Sequence, residues 1–471
     1  LKYVFSLLLA LITVDAMASD LRLSKPIFYK EKTESFAVLN LSWENAWRNN
    51  RNHDAVWLFF KFLNGNDGYV HSKILERGHE VILVHSEQNL QLEFEIPADR
   101  IGVSIYPKIP FRGHIEATIK IILDRDSFQE VNTRASNFSV YGIEMVKIPR
   151  GGFTLGDPDT SALSFGSLYK SNAQGSYKGL FSIRDENQRI KIAPAEDALY
   201  YRAPEGYEGD QTGIIPEAFP KGVEPFYIMK YEPTQGQYAE FLNSLSENQS
   251  QNRANFGGKN YYNERGSIIF ENNEYIARNP SAPCNYMSWD DAMAFADWSG
   301  LRPMTEFEFT KAARGVKKPL ENEFPWGTGS KEMIQRIVSE NGTLTMLNGW
   351  DESKLSNDNK EIFGASFYWV RDLSGSLWER VITIGDSNGR AFLGTTGDGK
   401  LSSYGFATND DWPKGIAEEG GFGFRGGGFY GHGRDYHDFN PYSPISYRPY
   451  GAWSGGNRTK AYGARFVRST E

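Results

Sequence analysis

The chain has 471 residues and a formal net charge of −8, with 51 Lys and Arg against 59 Asp and Glu; with no basic stripe to offset that charge, nucleic acid is not an expected partner. Aromatic residues reach 14% beside 47 Gly and 21 Pro, which suits a loop-rich body with aromatic cores, and the length points to two domains. No apolar run is long enough to span a bilayer, and the single cysteine, Cys284, excludes an intramolecular disulfide.

The N-terminus reads as a secretory signal. Lys2 opens a mostly apolar stretch from Tyr3 to Val14, and Ala16-Met17-Ala18 supplies small residues before a cut at Ser19. Residues 1–18 are thus expected to be removed from an exported protein, periplasmic or extracellular, without a lipid anchor because no cysteine stands at the cut.

Residues 19–140 predict an all-β domain. Leu90, Leu92, Phe94 and Ile96 alternate with polar neighbours, as do Ile115, Ala117, Ile119 and Ile121. Val56 to Phe62 and Val81 to Val84 run apolar without alternation, as strands buried on both faces do. With Pro107 and Pro110 among the turn signals, a β-sandwich is the expectation. Five of the seven histidines (His53, His71, His79, His85, His114) lie here without metal-ligand spacing, and they read as structural or surface residues.

A second domain is expected over residues 143–471. Ile143-Glu-Met-Val-Lys-Ile-Pro-Arg-Gly-Gly-Phe-Thr-Leu-Gly156 opens it, and residues 157–222, rich in Gly, Ser, Asp, Pro and Tyr, read as a surface insertion with a few short strands. Phe226-Tyr-Ile-Met-Lys-Tyr-Glu-Pro-Thr234 is the next strand. Three helix starts follow, each with a capping-box pair: Thr234 and Gln237, Ser288 and Asp291, Thr305 and Glu308. Behind the first, Tyr238, Phe241, Leu242 and Leu245 make one apolar face. Then come Phe324-Pro-Trp-Gly327, Gly375-Ser-Leu-Trp-Glu379, Arg425-Gly-Gly-Gly-Phe429 and Gly463-Ala-Arg-Phe-Val467.

Taken in this order, with Leu301-Arg-Pro-Met-Thr-Glu-Phe-Glu-Phe309, these segments resemble the sulfatase-modifying-factor family, which contains the formylglycine-generating enzymes. The resemblance runs from about residue 143 to 468 and implies an irregular C-type-lectin-like domain, so the whole chain is expected to be α+β. In the oxidases of that family, copper is held by two cysteines shortly after the R-G-G-S-F motif. Counted from Arg425, those positions are Gly431 and Tyr436, which offer no thiolate, and Cys284 reads as a buried, inert thiol. No catalytic residue is assigned, and iron or copper is not expected.

The loop Gly431-His-Gly-Arg-Asp-Tyr-His-Asp-Phe-Asn440 stands in their place. His432 and His437 with Asp435 or Asp438 could form the two-His-one-carboxylate set that suits iron, which leaves a metal-dependent oxidoreductase as the alternative. The resemblance also implies a structural Ca²⁺ held by Asp372, the carbonyls of Gly375 and Leu377, and Glu379, since a hard cation takes several oxygens. Aromatics interleaved with Arg and Asn between Phe429 and Tyr462 suit recognition of a protein, peptide or glycan. The ligand-facing candidates are His432, Arg434, Asp435, His437, Trp453 and Arg458, and a secreted non-oxidase binding protein is the expected function.

Overall fold

The structure, a computed structural model, describes residues 13–18, 21–31, 34–63, 68–85, 90–127, 138–204, 209–338, 344–415, 420–428, 442–455 and 457–470. The fold is mainly β with a few short helices. In the first part of the chain the strands are β1 (Thr13–Ala18), β2 (Leu21–Ser24), β3 (Ile27–Lys30), β4 (Ser35–Arg48), β5 (Asp54–Leu63) and β6 (Tyr69–Ser72). They continue with β7 (Glu80–His85), β8 (Leu92–Glu95), β9 (Val103–Pro107), β10 (Phe111–Leu123) and β11 (Phe138–Ile148).

One sheet runs β1-β2-β4-β10-β7, with β3 also on β4. Period-two alternation governs its longest pair: Ala37, Leu39, Leu41 and Trp43 on β4, and Ile115, Ala117, Ile119 and Ile121 on β10, are buried while their neighbours are more open. These residues share a core cluster with Val56, Leu58 and Phe60 of β5. The intervening Ala55, Trp57 and Phe59 belong to a second, larger cluster on the other side. That division explains the unbroken apolar run of β5, which has a core on each face and no polar side to show.

The second sheet crosses the expected domain boundary. Its order is Arg302–Pro303, Phe466–Ser469, Phe226–Met229, β11, β5, β9, β8. β11 pairs with β5 from Phe138 to Val146 and with the strand Phe226–Met229 from Met145 to Ile148. The expected break at 140–143 therefore falls inside a continuous strand, and both parts of the chain hydrogen-bond into one sheet. Trp57 reinforces the junction: it is buried, and its Nε1 donates to Ser299 O at 2.8 Å, at the end of the helix Trp289–Trp298.

All three capping boxes form, at Thr234, Ser288 and Thr305. They start the helices Gln235–Asn243, Trp289–Trp298 and Glu306–Arg314. The last is buried all round, so its charged residues need partners. Glu308 takes two hydrogen bonds from Arg302, at 2.6 and 2.9 Å, and Arg314 Nε donates to Glu323 at 2.6 Å. Glu306 accepts from Arg448 Nε at 2.8 Å and Nη2 at 3.0 Å.

Between residues 157 and 222, five short strands form a sheet in the order Tyr177–Gly179, Tyr169–Ser171, Leu199–Tyr200, Ile190–Ile192, Gly213–Ile215. Its Ile190, Ile192, Leu199 and Ile215 join the core cluster of the helices. This segment is packed into the body rather than laid over it. A three-stranded sheet, Phe422–Arg425, Trp378–Ile382 and Tyr462–Ala464, then carries the terminal motifs.

Candidate functional site

The three-stranded sheet brings the late motifs together. Glu379 faces Arg425 in one ladder and Gly463 in the other, so sequence-distant motif residues become neighbours by register. Phe424 and Tyr462 pack at a tilt of 36° with centroids 4.5 Å apart, and Trp453 leans on both at 5.8 and 5.7 Å. Tyr450 joins Trp453 at 5.6 Å and Trp378 at 5.1 Å. Beneath them the buried Arg380 guanidinium stands 4.8 Å from the Phe424 centroid and donates from Nη2 to Met287 O at 3.1 Å. Burial pushes its pKa down to about 10, against the opposing influence of Tyr462, Asp291 and Asp290.

The segment between Asp372 and Glu379 holds the chain on either side of residues 429–441, at Gly428 and at Ser443. A Cβ on Gly428 would stand 2.5 Å from Trp378 Cδ1, so only glycine lets the chain pass there. On the far side, Ser443 N donates to Ser374 Oγ at 2.9 Å, and Ser374 Oγ donates to Ser443 O at 2.9 Å. Gly431, His432, Arg434, Asp435, Tyr436 and His437 lie outside the described residues.

Under this segment lies a buried carboxylate group. Glu379 Oε1 accepts from Arg465 Nη2 at 2.6 Å and Nε at 2.8 Å. Glu232 accepts from Ser376 Oγ at 2.5 Å and Leu377 N at 3.0 Å. Burial, then the neighbouring Glu379, holds Glu232 well above the usual carboxylate range. Burial also raises Glu379, and Arg465 opposes that rise. Arg465 thus has its charge partner in Glu379, while Glu232 is held by the Ser376 hydroxyl and the Leu377 amide. Asp372 is taken by Arg336, with Nε to Oδ1 and Nη2 to Oδ2 both at 2.9 Å.

Residues 203–470 match the family model described as a sulfatase-modifying factor enzyme 1-like domain. The chain belongs to that family. Among its relatives, the formylglycine-generating enzyme of Thermomonospora curvata is 29% identical over 105 residues, covering 22% of this chain and 34% of that one. The uncharacterized protein YfmG of Bacillus subtilis is 28% identical over 197 residues, covering 36% and 37%. The formylglycine-generating enzyme of Bos taurus is 27% identical over 106 residues, covering 22% and 28%. The chain thus spans roughly a third of the length of these relatives.

In this sulfatase-modifying-factor member the sequence-predicted residues divide into three groups. Trp453 stands in the aromatic array, partly exposed. Arg458 does not face open space: its Nε and Nη2 donate to Asp291 at 2.6 and 2.8 Å, and Nη2 also reaches Asn252 O at 2.8 Å. Such a bidentate ion pair holds a structure rather than a ligand. Cys284 is fully buried, and burial raises its thiol pKa well above the ordinary value.

The expected calcium ligands fit a hard cation only in part. Asp372, Gly375 and Ser376 all take left-handed backbone, with φ of 59°, 97° and 67°, which bends the segment tightly. Glu379 Oε2 is buried with no hydrogen-bond partner among the described residues, as an oxygen awaiting a cation would be. Asp372, however, has both oxygens committed to the Arg336 guanidinium. Among the described residues no group of three or more His, Cys, Asp or Glu is arranged to hold a metal ion. Sequence reasoning had no access to Arg336 as the partner of Asp372. Glu232 and Arg465 both stand in motif segments, residues 226–234 and 463–467, but their partners are distant in sequence and only the fold brings them together.

Proposed function

We propose that this chain is an exported, non-oxidase member of the sulfatase-modifying-factor family. It binds a protein, peptide or glycan through the aromatic array around Trp453 together with residues 431–437. The observation that carries this reading is the cysteine count: the sequence holds one, Cys284, and it is buried. Copper-dependent oxygen chemistry in the family needs a pair of thiolates, and the corresponding positions hold Gly431 and Tyr436. Trp453, Tyr450 and Tyr462 supply rigid aromatic area of the kind recognition surfaces use. The N-terminal strands, read as a β-sandwich, act as a spacer rigidly joined to the binding part. Calcium belongs to this reading as a structural ion near Glu379, where it competes with Arg336 for Asp372. No described helix is long and apolar enough to cross a membrane.

The test is an assay of the family reaction. A cysteine-containing sulfatase-motif peptide, incubated with the protein, Cu(I) and oxygen, keeps its thiol by mass spectrometry. Aldehyde formation above the metal-only background overturns the non-oxidase reading and makes His432 and His437 the first residues to substitute. Export is checked separately, by N-terminal sequencing of secreted material that begins at Ser19.

A further inference from the structure

Although the chain carries a net charge of −8, one of its cavities is walled by cations. Past the end of the helix Glu306–Arg314 lies a cavity of about 400 Å³ lined by Lys317, Lys318, Lys360, Arg314, Trp326 and Phe367, among others. Glu323, the carboxylate in this wall, is consumed by Arg314 at 2.6 Å. Arg314 Nη2 still lacks a hydrogen-bond partner among the described residues. Lys317 and Lys318 are exposed, and no ion pair holds either one among the described residues.

The neighbourhood intensifies this field. Arg51 lies over the Phe367 ring, 3.9 Å from its centroid, and Lys317 Nζ stands 5.9 Å from the same centroid. Burial lowers the Lys360 pKa, and Arg51 and Lys317 lower it further, against a single opposing contribution from Asp358. Gathering like charges around one ring is unfavourable unless water or an anion compensates. A purely solvated lysine face has no need of a concavity or of aromatic walls. Here Phe367 and Trp326 are nearly buried, and Trp326 is fixed by parallel stacking on Phe324 at 4.8 Å.

We propose that this cavity binds a small organic oxyanion, a carboxylate or phosphate borne on a sugar-sized ring. The lysines neutralise the anion and Phe367 with Trp326 offers the apolar wall for the ring. Convergent charges on an apolar lining are the usual make-up of a small-molecule site. The site is separate from the Trp453 array and independent of the function proposed above.

Isothermal titration of the full chain with digalacturonate, glucose 6-phosphate and neutral maltose tests the proposal. At least one anion is expected to bind, maltose is not, and added salt weakens the binding. A response to digalacturonate alone assigns a carboxylate ligand, and a response to glucose 6-phosphate alone assigns a phosphate. Lys317→Gln/Lys318→Gln, at two exposed positions, should weaken the anion by about tenfold or more with an unchanged melting temperature. Lys360→Gln serves as a second variant and should act in the same direction. Absence of heat with both anions, equal binding of maltose, or unchanged affinity in both variants would overturn it.

Discussion

Lys230 Nζ donates to Asp54 Oδ2 at 3.0 Å, and so ties the family-matched part of the chain to the strands that precede it. The same ammonium donates to Glu144 Oε2 at 2.8 Å, and Asp54 Oδ1 accepts from Trp47 N at 2.8 Å. All three charged side chains are at most 3% exposed. A cation between two carboxylates in such a place is stable only while each keeps its partner.

Lys230→Met should therefore cost about 3–5 kcal/mol, since it leaves Asp54 and Glu144 buried without their cation. Urea unfolding measures this, and the triple variant that adds Asp54→Asn and Glu144→Gln should recover most of the loss. A shift below about 1 kcal/mol in the single variant would show that the seam does not depend on this contact.

Lys61 gives a pH-dependent prediction. It sits on β5 opposite His71, is fully buried, and its Nζ has no hydrogen-bond partner among the described residues. Burial pushes its pKa from 10.5 down to about 7. A folded value below the unfolded one means that stability is highest above about 10.5 and is lost as pH falls toward about 7. Lys61→Met should then stabilise the protein by about 1–3 kcal/mol at neutral pH and below, and the gain should shrink as pH rises. Thermal melts of both proteins across that range decide it; a constant difference would count against the buried ammonium.

Arg336 and calcium should act against each other at Asp372. Arg336→Gln frees both carboxylate oxygens, so added Ca²⁺ should raise the melting temperature of the variant more than that of the wild type. Glu379→Gln in the same background should abolish the response. Identical melting with Ca²⁺ and with chelator in both proteins would remove calcium from the account.

Cys284 should resist thiol reagents in the native state. It is 1% exposed, and burial holds its thiol protonated. Alkylation followed by mass spectrometry should show modification only after denaturation. Rapid native labelling would mean that the thiol is accessible and would reopen the question of its chemistry.

What the sequence determined by itself was local and periodic. The capping pairs at Thr234, Ser288 and Thr305 each need residues only three positions apart, and all three helices start where these pairs stand. The alternation along Ile115 to Ile121 fixes which face is buried, because a strand repeats every second residue. The ordered motifs identified the family for the same reason, being contiguous strings that survive insertion between them. Tertiary structure alone decided the rest. That β11 runs through the expected boundary depends on pairing with β5 and with Phe226–Met229, which are far away in sequence. That Arg458 serves Asp291, that Arg336 covers Asp372 and that Arg465 covers Glu379 depend on separations of 167, 36 and 86 residues. A charged side chain reads the same in a sequence whether it faces a ligand or a buried carboxylate; only the fold brings up the partner that neutralises it.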